Sequence, residues 1–245
     1  MHYGNTDADY LTDVVSAKGK SFIQRAAASH KPFLVEISTF APHGPFTPAR
    51  QDLDKFPGLT APRTPAWDTL PTNAPTWLAG NGPLTAAEIQ KIDIDYRKRA
   101  QAVQAVDRMI DGLRQQLVDS GVADNTYVVF SSDNGFHMGD HRLVEGKQTA
   151  FDHDVVVPLV IAGPNVPSGI SRPQIVQNID LAPHVRARGR RCGRRRRRRP
   201  LPADTGHRRA DCPVAHRLTH RAPWPGRQPR RPRRPRRPQR HADHL

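Results

Sequence analysis

An α/β domain is what this sequence predicts, with a mixed, largely parallel sheet covered by helices over residues 1–184. Short apolar, β-branched runs read as buried strands at Lys31–Thr39 (KPFLVEIST), Thr126–Phe130 (TYVVF) and Val155–Ala162 (VVVPLVIA). Stretches with apolar residues at helical spacing precede and separate them. Polar side chains gather just past the strand ends, the place where open α/β sheets bind ligands.

Taken in order, Asp9–Ser29 carries Tyr10, Leu11, Val14, Val15, Phe22, Ile23 and Ala26 on one face, an amphipathic packing helix with a gap around Gly19. Lys31–Thr39 follows as a strand opened by Pro32. Its exit, APHGPFTP, has prolines at 42, 45 and 48 that stiffen an extended loop around His43. Residues 49–83 are rich in Pro, Thr, Asn and Gly with Trp67 and Trp77 embedded, and a loop of that length more often shapes a pocket than merely connects. Thr85–Ser120 is the longest predicted helix. Thr85 and Glu88 have capping-box spacing, apolar residues from Ile89 to Leu117 step by three or four, and Gly121 suits the C-terminal stop. Its Lys and Arg residues read as a solvated face balanced by Asp93, Asp95, Asp107 and Asp111. Gln174–Gln177 is a candidate fourth strand before NIDLAP.

Charge divides the chain in two. At or beyond Val185 lie 22 of the 38 basic residues, all Arg, and 3 of the 23 acidic ones, which leaves 16 against 20 in the body, a net of −4. Residues 185–245 are therefore expected to be a disordered Arg/Pro-rich tail, unable to offset the entropy cost of folding. Such a tail binds nucleic acid or other polyanions through released counterions. It lacks Lys, Ile, Phe, Tyr, Met, Ser, Asn and Glu, a bias that points instead to a frameshift through G- and C-rich codons. Both cysteines, Cys192 and Cys212, lie there, so the body offers no disulfide framework or thiolate metal site. The N-terminal residues have no charged and apolar export pattern, and no run of about 18 apolar residues occurs, so a soluble chain is expected.

The richest stretch is Thr126–Pro158, where the strand TYVVF empties into SSDNGFHMGDHRLVEGKQTAFDHD. Asp133, Asn134, His137, Asp140, His141 and Lys147 all fall beyond that strand's carboxyl end. Asp-Asn-Gly is also an ordinary turn signal, since Asn and Gly accept positive φ and Asp bonds its own backbone. A lone His43 in a loop is likewise compatible with plain solvation.

Five motifs taken together resolve these alternatives: APHGPFTP, IDYRKRAQAVQAVDRMIDGL, NTYVVFSSDNGFHMGDH, GKQTAFDHDVVVPLVIAGP and NIDLAP. In this order they resemble the calcium-dependent sulfatases of the alkaline-phosphatase-like superfamily, most nearly the N-acetylglucosamine-6-sulfatase type, from about Tyr10 to Pro183. The resemblance implies a sulfuric ester hydrolase acting on sulfated saccharides or aryl sulfates. Asp133 and Asn134 match the family's metal ligands, a carboxylate and an amide oxygen suited to a hard Ca²⁺ ion. His43 and Lys147 match its sulfate-contacting groups, which would stabilise charge on the sulfuryl oxygens and the leaving group. His137 and His141 are possible pocket groups.

The resemblance also implies a formylglycine nucleophile made within C-x-P-S-R or C-x-A-x-R, and neither pattern occurs: Cys192 precedes GRRR and Cys212 precedes PVAH. The chain is thus expected to be the C-terminal part of a catalytic domain, holding part of the calcium shell and no nucleophile, and inactive alone. A non-catalytic sulfate or glycan binder, a phosphonate monoester hydrolase relative, and a polyanion binder acting through the tail stay open as alternatives.

Overall fold

The computed structural model describes residues 6–186. The first helix, α1, spans Leu11–Ala28, and the short α2 spans Thr76–Ala79. The 34-residue α3 runs over Ala86–Asp119. Strand β1 is Val128–Ser131, and β2 (His137–Met138) with β3 (Glu145–Gly146) makes a small ladder. A helical turn, α4 (Asp152–Val155), precedes β4 (Leu159–Ala162). Residues 181–186 are helical. The tail expected from Val185 begins with two residues of this helix, and from residue 187 on the expectations of disorder, polyanion binding and cysteine chemistry lie outside the described residues.

Helix α3 is the spine. The Thr85 hydroxyl accepts from the Glu88 amide at 3.3 Å while the Glu88 carboxylate accepts from the Thr85 amide at 2.7 Å, closing the capping box read from the sequence. At the other end Gly121 takes φ +67°, where a side chain would be strained. The buried stripe of α3 is Ile92, Ala102, Ala105, Val106, Met109 and Leu117. Helix α1 packs along it. Gly19 marks their closest approach, because a Cβ there would lie 2.9 Å from both Leu113 Cδ2 and Ile37 Cδ1. The gap in the predicted amphipathic pattern is a packing contact.

The basic residues of α3 do more than form a solvated face. They reach out and hold the 49–83 loop. Asp52, fully buried, takes two hydrogen bonds from the Arg108 guanidinium at 2.9 and 2.6 Å. Those bonds hold its carboxyl below the ordinary carboxylate value against the opposing effect of burial. Arg63 pairs with Asp93 at 2.7 Å, Arg97 donates to the Leu59 carbonyl at 3.2 Å, and Gln101 donates to the carbonyls of Leu53 and Lys55 at 2.6 and 2.8 Å. A compact core of Ala61, Ile92 and Met138 then forms between loop and helix, with Trp67, Leu84, Tyr96 and Phe136 packed around it.

Some expected strands are not paired. Residues 32–40 run without regular structure, though their exposure still alternates residue by residue as in a strand. Their period-2 pattern is intact, yet among the described residues no neighbouring strand meets them and Leu34 is 74% exposed. Residues 171–177, including the candidate strand Gln174–Gln177, are likewise irregular. The third run begins as α4 rather than as strand, so only Leu159–Ala162 joins β1. That pairing is antiparallel, with Val128 opposite Ala162 and Ser131 opposite Leu159. The β2/β3 ladder is antiparallel too. The largely parallel sheet expected from the alternation of strands and helices is not formed among the described residues, and the 31–39 run is one of the segments left unpaired.

Candidate active site

Strand β1 ends at Ser131, and the chain then turns through Ser132, Asp133 and Asn134. The turn is stabilised by its own side chains: the Asn134 amide donates to Asp133 Oδ1 at 2.9 Å, and Ser132 Oγ donates to the Asn134 carbonyl at 2.8 Å. Both the turn and the site readings of Asp-Asn-Gly are therefore compatible with the backbone. Gly135 is required by sterics, since a Cβ there would overlap the His153 carbonyl oxygen. The Gly135 and Phe136 amides donate to the Asp154 and His153 carbonyls at 2.8 and 2.7 Å, lacing this arm to the start of α4.

The structure brings Lys147 to Asn134, with Nζ 3.4 Å from Oδ1. Asp133 is exposed and next to them in the chain. One candidate metal-binding oxygen and one cation thus meet at the mouth of β1, while the Asp133 carboxylate bonds within its own turn. His43 is exposed on the neighbouring loop, its ring 5.1 Å from that of Phe40 and its Nδ1 3.0 Å from the Gly44 carbonyl. That loop meets the arm after Asn134 through Phe46 and Phe136, whose rings lie edge to face at 6.3 Å.

His137 and His141 are placed differently from these. His137 is buried in β2, with Nδ1 at 3.0 and 3.1 Å from the two carboxylate oxygens of Asp154. Asp154 also accepts from the Thr149 amide at 2.9 Å and the Thr149 hydroxyl at 2.8 Å. Burial would raise the Asp154 carboxyl, but these hydrogen bonds outweigh it and hold the group below its ordinary value. His137 thereby braces the loop that carries Lys147. His141, at φ +57°, has its ring 4.0 Å from Phe151 and 5.8 Å from His153. Its Nδ1 and that of His153 are buried without a hydrogen-bond partner among the described residues. His153 Nε2 lies 3.1 Å from Asp140 Oδ1, which also accepts from Thr64. Asp152 to Asp154 and Phe46 lie near the site by sequence without a local signal for their roles, and Thr149 carries no such signal at all.

A calcium ion takes six to eight oxygens. Asp133 and Asn134 are the right kind of donor, but among the described residues no three His, Cys, Asp or Glu side chains are grouped to hold a metal. The pair can supply only a share of such a shell.

A packed helix pair, a long loop and a short antiparallel strand pair make a mixed helix-and-strand partial domain of the alkaline-phosphatase-like fold. Solved structures agree at the level of fold: a protein in complex with its substrate D-glucosamine-2-N,6-O-disulfate aligns with TM-score 0.59 at 22% identity, covering 71% of this chain and 47% of that one. Ps i-CgsB in complex with k-i-k-neocarrahexaose aligns with TM-score 0.53 at 24% identity over 73% of this chain and 34% of that one. The sulfatase family model matches residues 2–187, and the chain belongs to the sulfatase family. It is similar to N-acetylglucosamine-6-sulfatase of Bos taurus, 36% identical over 186 residues, which is 75% of this chain and 33% of that protein. Human N-acetylglucosamine-6-sulfatase is 35% identical over the same shares, and an arylsulfatase of Volvox carteri is 32% identical over 72% of this chain and 31% of its own length. The chain spans about a third of the length of the curated relatives it matches.

Proposed function

We propose that this chain carries the sulfate-recognising side of a sulfatase active site acting on sulfate esters of sugars or aryl compounds. The observation that carries this is the approach of the Lys147 ammonium to Asn134 Oδ1 at the end of β1, 3.4 Å away. Lys147 supplies a point charge for the sulfuryl oxygens or the leaving oxygen, and His43 a ring N–H on the adjoining loop. Asp133 and Asn134 offer two oxygens to Ca²⁺, whose chemistry would be to polarise the sulfate oxygens. The substrate class rests on the likeness to N-acetylglucosamine-6-sulfatases and arylsulfatases.

The chain alone is expected not to turn over substrate, because the sequence has no C-x-P-S-R or C-x-A-x-R segment from which a formylglycine nucleophile could be made. Incubating the purified protein with an aryl sulfate or glucosamine 6-sulfate and calcium should release no sulfate above background. Turnover that disappears in Asp133→Ala would overturn this. Binding without turnover is the positive expectation: calorimetry should detect glucosamine 6-sulfate, about tenfold weaker in Lys147→Ala, as befits loss of one charge-assisted contact. The division into a catalytic-domain portion over 1–184 and an Arg/Pro-rich tail over 185–245 is part of the same proposal. Polyanion affinity of the tail, sought as salt-dependent DNA binding lost on truncation after His184, would be a separate property.

A further inference from the structure

We propose that Arg99 of α3 is a positioning residue that clamps the His43 loop onto the arm following Asp133 and Asn134, so that the two halves of the candidate site keep a fixed separation. The inference rests on the sulfate-site reading given above. Arg99 donates from Nη1 to the Pro42 carbonyl at 3.1 Å, one residue before His43. Its guanidinium carbon lies 4.1 Å from the centre of the Phe136 ring, two residues after Asn134, and 5.5 Å from that of Phe46, three residues after His43. One planar cation therefore touches both loops at once. The arm bearing Phe136 is itself held, through the amide hydrogen bond to the His153 carbonyl at 2.7 Å.

Among the described residues Arg99 makes no ion pair. The acid that acts on it at longer range, Glu145, is engaged by Lys91 at 2.6 Å. Its surroundings are aromatic, and burial pushes the guanidinium below its ordinary value. A cation kept in such a place without a carboxylate is stabilised by ring faces and a carbonyl, which a flat guanidinium satisfies together and a lysine ammonium does not. A cavity of about 310 Å³ opens beside it, lined by Pro42, Phe56, Tyr96, Val103 and Gln104. Arg99 itself lines this opening together with Pro42 of the His43 loop.

Two readouts on the full 245-residue chain test this: ring-to-ring nuclear Overhauser contacts between labelled Phe46 and Phe136, and calorimetric affinity for glucosamine 6-sulfate. Arg99→Ala is expected to abolish the ring contacts with helicity unchanged, and to weaken binding about tenfold. Arg99→Lys, which keeps the charge but loses the planar stack, should recover part of both. His43→Ala and the double variant should bind equally, since a misplaced His43 contributes nothing left to remove. Ring contacts that persist in Arg99→Ala, or losses that multiply in the double variant, overturn the clamp. Should the parent chain fail to bind glucosamine 6-sulfate, the sulfate-site proposal falls, while the ring contacts still decide whether Arg99 joins the two loops.

Discussion

Asp154 shows how far a single side chain organises the neighbourhood of Lys147. It accepts from His137 and twice from Thr149, and its own backbone carbonyl accepts from Gly135. Asp154→Ala leaves those buried donors without a partner, and should cost about 3 kcal/mol in urea unfolding, at the upper end for a multiply bonded buried group. The same carboxyl sets a pH dependence. Its folded pKa is depressed, so its stabilisation is fully present above the unfolded value of about 3.9 and is lost as pH falls from there through the folded value. Acid titration of Asp154→Asn should therefore show a shallower loss of stability below about pH 4 than the parent. The identity of Asp133, Asn134, Lys147 and His43 as site candidates was legible from their places after apolar runs. The Asp154–His137 pair was not, because its members are far enough apart in sequence that only the folded arm reveals them as partners.

Among the elements, α3 was the most legible, with its capping box, stripe and terminal glycine all written in local residue spacing. What spacing could not convey was the destination of its arginines. A long basic side chain on a helix reads the same whether it faces water or reaches over to a loop, and Arg108 reaches over. Arg108→Ala should cost about 3 kcal/mol by leaving the buried Asp52 carboxylate with only the longer Lys55 contact at 3.6 Å, whereas Arg114→Ala, at a position with no ion pair among the described residues, should fall within about 0.5 kcal/mol of the parent. Thermal melts of the two variants give the comparison directly. The 31–39 run failed as a strand for the converse reason. Composition and alternation make a segment fit for pairing, but pairing needs a neighbour, which no local pattern supplies.

At the scale of the whole molecule, the helices and the long loop bury a core while the β1/β4 pair remains thinly covered. Val129, Phe130, Val155, Val156 and Val160 are 46, 41, 57, 68 and 58% exposed, on and beside two strands that pair mainly with each other. Contiguous apolar strand surface of this kind favours edge-to-edge association. Light scattering should show association rising with protein concentration, and Val156→Lys with Val160→Lys should suppress it without altering helicity. The α/β character was legible because runs and periodicities are local. The strand partners and the direction of pairing depend on which segments meet in space.

The thin cover of β1 bears on how the site would respond to a ligand. Asp133 and Asn134 follow shortly after a strand with no buried residue, so the amides of Val128–Ser131 belong at the low end of protection against hydrogen exchange, well below those of α3. A ligand engaging the Asp133 turn would then order the strand as it binds, and part of its intrinsic affinity would be spent on that ordering. Exchange slowed selectively at Val128–Ser131 on adding glucosamine 6-sulfate would be the signature of this coupling between recognition and local folding.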